Sequence, residues 1–148
     1  MRTPSWHRLL LALTLFIAPA LPTTAQNLPV VRLTAGIHLI QAEVADNEAR
    51  RRQGLMYREK LASNQGMLFV FENKATHCFW MRNTLIPLSI AFLEDDGTIV
   101  NIADMQPQSD DSHCPSAEIR YALEMNQGWF KQRGFKAGMK LGSFTAKQ

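Results

Sequence analysis

No run of apolar residues in this 148-residue sequence approaches the roughly twenty that a membrane-spanning helix requires. The longest run, Leu9 to Ala18, follows Arg2 and Arg8 in a leading segment without acids, and small residues stand at Thr23 and Ala25. That arrangement predicts a secretory signal peptide over residues 1–25, cleaved before Gln26, with no transmembrane anchor left afterwards. No cysteine sits near the cleavage point, which speaks against a lipoprotein, and no repeat or low-complexity segment is present. A surplus of charge is missing too. Cleavage removes two arginines, leaving fourteen basic against thirteen acidic residues and a formal charge of +1. So nearly neutral a chain has no electrostatic footing for nucleic acid as a partner. Residues 26–148 are of single-domain size, are expected to act as a periplasmic or secreted monomer, and are long enough to bury one core.

Cysteine is scarce, with Cys78 and Cys114 the two in the chain. Export would place them in an oxidising compartment, where a pair of thiols becomes a bridge. In the chain-entropy estimate, closing a loop of that length stabilises by about 3–4 kcal/mol. Each cysteine follows a histidine, His77-Cys78 and His113-Cys114, and two imidazoles with two thiolates would suit zinc or copper. Neighbours on an extended strand point to opposite faces, however, so a dipeptide does not readily converge on one metal. A periplasmic metal-binding protein is therefore a lesser alternative, and no metal or cofactor is expected. A nucleophilic cysteine is weaker still, because oxidation removes its thiolate. Met56, Met67, Met81, Met105, Met125 and Met139 are spread through apolar stretches and read as core filler.

Taken in order, the residues from Arg32 to Val44 alternate as a half-buried strand does. Asp46 is placed to cap a short helix over 47–53 that Gly54 closes, its arginines forming a solvated face. Met67 to Phe71 is continuously apolar, as in a strand buried on both sides. Phe79 to Leu93 reads as one hairpin with a polar corner at Arg82, Asn83 and Thr84, and Asp96-Gly97 turns into a further strand, 98–103. Residues 104–116 form a long irregular loop. Ile119, Tyr121, Leu123 and Met125 share one face of an alternating strand, with Arg120 and Glu124 on the other. Asn126 is suited to cap a short helical turn that Gly134 ends, before a last strand from Lys140 to Phe144. Short strands between turn signals predict a mainly β domain, a compact antiparallel barrel or sandwich with two short helices.

Four segments, Gly54-Leu55-Met56-Tyr57-Arg58, Gly66 to Phe71, Phe79 to Leu88, and Leu123 to Trp129, resemble in this order the bacterial and archaeal family called domain of unknown function 192. The resemblance spans nearly all of residues 26–148. It implies a mostly antiparallel domain of barrel or jelly-roll character, often exported, and carries no activity with it. Where the family usually has an acid after Ile-Pro-Leu, this chain has Ser89.

The candidate site residues are Arg82, Asn83 and Thr84, with Glu124, Asn126 and Trp129. A rigid apolar frame around the corner suits recognition of a small polar or carboxylate-bearing ligand, with Arg82 as fork and Trp129 as stacking face. The purely structural alternative has Asn83 and Thr84 bonding turn backbone, Arg82 pairing with Glu124, and Trp80 and Trp129 packed in the core. The leading expectation is a non-catalytic exported domain that binds a small polar ligand or an envelope protein through Arg82, Asn83, Thr84 and Glu124. The runner-up is an envelope hydrolase with Glu124 or Asp104 as general acid or base. What separates the two is whether Glu124 lies in a concave pocket with another acid or is closed in an arginine ion pair.

Overall fold

The computed structural model describes residues 28–142, so the signal-peptide reading and the end of the expected last strand lie outside the described residues. Alternation from Val30 onward forms two strands rather than one, β1 (Val30–Ala35) and β2 (His38–Ala45), because Gly36 takes a φ of 57° and turns the chain back. The helix α1 (Glu48–Gln53) follows, with Asn47 rather than Asp46 capping it: the Asn47 side chain accepts from the Arg50 amide. Asp46 instead pairs with the Arg50 guanidinium at 2.7 Å. Gly54, at a φ of 49°, ends the helix as expected.

The remaining strands are β3 (Gln65–Ala75), β4 (Leu88–Leu93), β5 (Ile99–Met105) and β6 (Ile119–Asn126), followed by α2 (Trp129–Gln132). They form one six-stranded sheet in the order β1-β2-β3-β6-β4-β5. The pair β2–β3 is parallel, with α1 and residues 54–64 as the crossover, and the other pairs are antiparallel.

This corrects the expected fold in two respects. The sheet is mixed, and it is not closed into a barrel: β1 and β5 are its edges and do not pair. Backbone groups that closure would need are already taken at the start of β5. The Ile99 amide donates to the Met139 carbonyl at 2.9 Å, and the Gly138 amide donates to the Ile99 carbonyl at 2.8 Å. The same C-terminal segment then reaches β1, where Gly142 lies so close that a Cβ would stand 2.0 Å from the Thr34 carbonyl oxygen.

The expected hairpin from Phe79 to Leu93 is also absent. Its second arm is β4, but β4 pairs with β5 and β6, and its first arm has a single bridge, Phe79 to His113. Phe79 and Met81 are apolar because they cover a sheet face, Met81 being 1% exposed, and not because they belong to a strand.

The two sheet faces carry separate cores. On one, Ile40, Leu68, Ala91 and Leu123 pack beneath Trp129, Phe130 and Leu141. On the other, Met67, Phe69, Ile90, Phe92 and Ala122 pack beneath Leu55 and Met81. Burial on both faces explains the unbroken apolar run in β3. It also places Glu124, expected on a polar face, in the interior. Met67, Met81, Met105 and Met125 are core residues, whereas Met139 is 38% exposed.

Candidate functional site

Above the second face lies a cleft of about 270 Å³, with Glu124 and Thr84 among its lining residues. Glu124 is brought there by register: it stands opposite Met67 of β3 and Ile90 of β4, both buried. Gly66 allows the close approach of β3 and β6, since a Cβ there would meet the Glu124 carbonyl oxygen at 2.4 Å. The Glu124 residue is 4% exposed, and its carboxyl has no hydrogen-bond or ion-pair partner among the described residues. Burial alone pushes this carboxyl up to about 8, so it holds its proton at neutral pH.

Thr84 is delivered by the corner that the sequence singled out, but through a different construction. Its amide donates to the Met81 carbonyl at 3.0 Å, and its carbonyl accepts from the Gln108 amide at 3.0 Å. The neighbouring Asn83 carbonyl accepts from the Tyr57 amide at 2.8 Å. Tyr57, Asn83 and Gln108, at φ of 63°, 59° and 56°, are the non-glycine residues with positive φ among the described residues. Each such residue costs about 1–3 kcal/mol, and these three meet at the residues that fix Thr84. Thr84 is a buried residue, and its hydroxyl, like the Glu124 carboxyl, has no hydrogen-bond partner among the described residues.

The walls come from Leu55, Phe69, Phe71 and Phe79, and from a bridge between Cys78 and Cys114, whose Cα atoms are 4.2 Å apart. The expected disulfide is therefore present. With the Phe79–His113 bridge beside it, it fastens residues 76–81 to the 109–114 segment. Among the described residues, no three His, Cys, Asp or Glu side chains are grouped to hold a metal. From α1, Glu48, Arg51 and Arg52 line the mouth. Arg51 donates to the Val70 carbonyl at 2.8 Å and lies over the Phe71 ring, and Arg52 pairs with Glu48.

The other expected site residues separate from this pair. Arg82 is exposed, stacks on Trp80 with 4.6 Å from guanidinium to ring, and pairs with Asp110 at 2.8 Å, so the alternative pairing with Glu124 fails. Trp80 is 52% exposed and lies outside the core. Asn83 is exposed and contributes its backbone. Asn126 does not cap α2; its amide group donates to the Leu61 and Ala62 carbonyls, each at 3.0 Å, and Gly128 occupies the cap. Trp129 is buried on the opposite sheet face, donating to the Ser63 carbonyl at 3.0 Å and stacking on Phe135. It cannot stack on a ligand held by Glu124. Asp104 extends β5, where a loop was expected, and accepts from the Ser89 hydroxyl on that same opposite side. Ser89 in turn accepts from the Gly128 amide at 2.8 Å.

Sequence reasoning missed the arginines of α1 and the phenylalanine walls. The usable signal was an acid, Glu124, set among the apolar residues Ala122, Leu123 and Met125 of one strand.

The match to domain of unknown function 192, described as uncharacterized ACR, covers residues 30–143. The chain belongs to this family. Two solved structures show what the family fold is similar to. One, named a candidate transcription regulator from Sinorhizobium meliloti, is 35% identical, with a TM-score of 0.71 over 76% of this chain and 90% of that one. The other, a protein of unknown function from Novosphingobium aromaticivorans, is 34% identical, with a TM-score of 0.74 over 83% of this chain and 91% of that one. No curated protein matches the chain. For this DUF192 domain, the Ser89 substitution lies on the Asp104 side and leaves the Glu124 cleft untouched.

Proposed function

We propose that this protein is an exported ligand-binding domain whose site is the cleft over Glu124 and Thr84. The observation that carries the reading is a 4%-exposed carboxyl, without a partner among the described residues, that lines an open cleft. A stability-driven core leaves such a group out or pairs it, so its retention points to use. Around it the cleft is apolar with few polar groups, the usual make-up of a small-molecule site. Export is supported by residues 1–25 and by the disulfide, which persists in oxidising compartments.

Binding is favoured over hydrolysis by the placement of the acids. Glu48, at the mouth, is tied to Arg52, and Asp104 lies across the sheet, so neither joins Glu124 as a second working carboxylate. Residues 26–148 are close to neutral and offer no basic surface for DNA. The test is an amide NMR spectrum of residues 26–148 at pH 7, recorded with a library of small amines, alcohols, amides and acids. The expected result is a set of compounds that shift the amides of 54–56, 78–84 and 124 together. A library that moves none of these amides overturns the reading.

A further inference from the structure

We infer that the cleft selects a small organic amine, its ammonium group held by the Glu124 carboxylate and the Thr84 hydroxyl and its apolar body lying among the phenylalanine rings. This deepens the ligand-binding reading and rests on it. Glu124 and Thr84 are buried residues on the cleft whose side-chain oxygens have no partner among the described residues and can accept a hydrogen bond. An ammonium offers three donors and one positive charge, and so satisfies both groups while supplying the counter-charge that Glu124 lacks.

Among the described residues no cation pairs with Glu124. The charged groups on the cleft come from α1, and each is engaged: Arg51 with the Val70 carbonyl, Arg52 with Glu48. From β3 and β4 the groups beside Glu124 are Met67 and Ile90, which do not titrate, and Cys78 is oxidised. Phe71 and Trp80 already carry guanidinium groups, and His77 stacks on Phe71, so Phe69 and Phe79 are the rings left for the apolar body. The volume, about 270 Å³, equals roughly nine waters at ~30 Å³ each, enough for an arylalkylamine. Because the carboxyl is protonated at neutral pH, binding the ammonium forces Glu124 to ionise and to release its proton to solvent.

The experiment is titration calorimetry of residues 26–148 with benzylamine, benzyl alcohol and benzamide at pH 7, in two buffers of different ionisation heat, with NMR locating each compound. Benzylamine is expected to bind about tenfold more tightly than the two neutral probes and to release close to one proton per molecule. In Glu124→Gln the preference and the proton release both disappear while benzyl alcohol binds as before. Thr84→Val weakens benzylamine and keeps the proton release, which supports the assignment independently of the first variant. If the alcohol or the amide shifts the cleft amides and binds at least as tightly as the amine, the ammonium assignment is overturned and the cleft reading stands. Failure of all three probes while other library compounds shift those amides has the same meaning. If no compound of any class reaches the cleft, both fall.

Discussion

The two faces of the sheet are built from the same kinds of residue, yet Ser89 and Trp129 on one and Glu124 and Thr84 on the other are held differently. Beneath α2, the Ser89 hydroxyl donates to Asp104 and accepts from the Gly128 amide, and the Trp129 indole donates to a backbone carbonyl. Beneath the 76–87 segment, Glu124 and Thr84 are as deeply buried but make no such bonds among the described residues. The first arrangement specifies a fold, because each of these groups finds its partner inside the protein. In the second, the ligand proposed for the cleft would supply the partner. Backbone strain follows the same division: Tyr57, Asn83 and Gln108 all bear on the cleft side, where precise placement of Thr84 is the return on the distortion.

The largest expected effect tests the cleft side through pH. Glu124 keeps its proton in the folded protein up to about 8 but loses it near the ordinary carboxylate value when unfolded. Over that window the unfolded chain binds fewer protons than the native one, so stability is fullest below the unfolded value and falls as pH rises, levelling off above about 8. The loss is on the order of 4 kcal/mol for a shift of this size. Urea unfolding at pH 4.5 and pH 9 should show it in the native sequence, and Glu124→Gln should remove most of the difference. Equal pH dependence in the two proteins would erase the contrast between the faces.

Next in size is the clamp on the cleft wall. Replacing Cys78 and Cys114 together by alanine should cost about 3–4 kcal/mol, read as a lower denaturation midpoint, and should broaden the amide signals of 76–81 more than those around Trp129. Smallest is Ser89→Ala beneath α2. Stranding the Gly128 amide and Asp104 should cost about 1–3 kcal/mol, with benzylamine binding at the cleft unchanged. A change in that binding would mean that the two faces communicate through β4.

Much of the local structure could be read from residue order. Asn47 to Gly54 carries its own start and stop signals, although the cap falls one residue after the one expected. Alternation from Ile119 to Met125 gave a strand and the shared face of Tyr121, Leu123 and Met125, but Ile119 packs in the core of the other face, and Glu124 was misjudged because period-2 patterning marks a polar residue as outward when the sheet is covered on both sides. Glu124 and Thr84 were named among six candidates; their separation from Arg82, Asn126 and Trp129 was not visible, since it depends on which strands are neighbours.

The sequence by itself determined the local elements that rest on short-range chemistry: the helix ending at Gly54, the apolar strand β3, and the pairing of two cysteines for want of any others. Only the tertiary structure decided that β2 and β3 run parallel, that β6 lies between β3 and β4, that Phe79 to Met81 is a cover rather than a strand, and that the sheet stays open. The reason is physical. Turn preferences and side-chain alternation are set by residues a few positions apart, whereas strand order and covering are set by competition among distant apolar surfaces for burial. The cleft over Glu124 is a product of that competition.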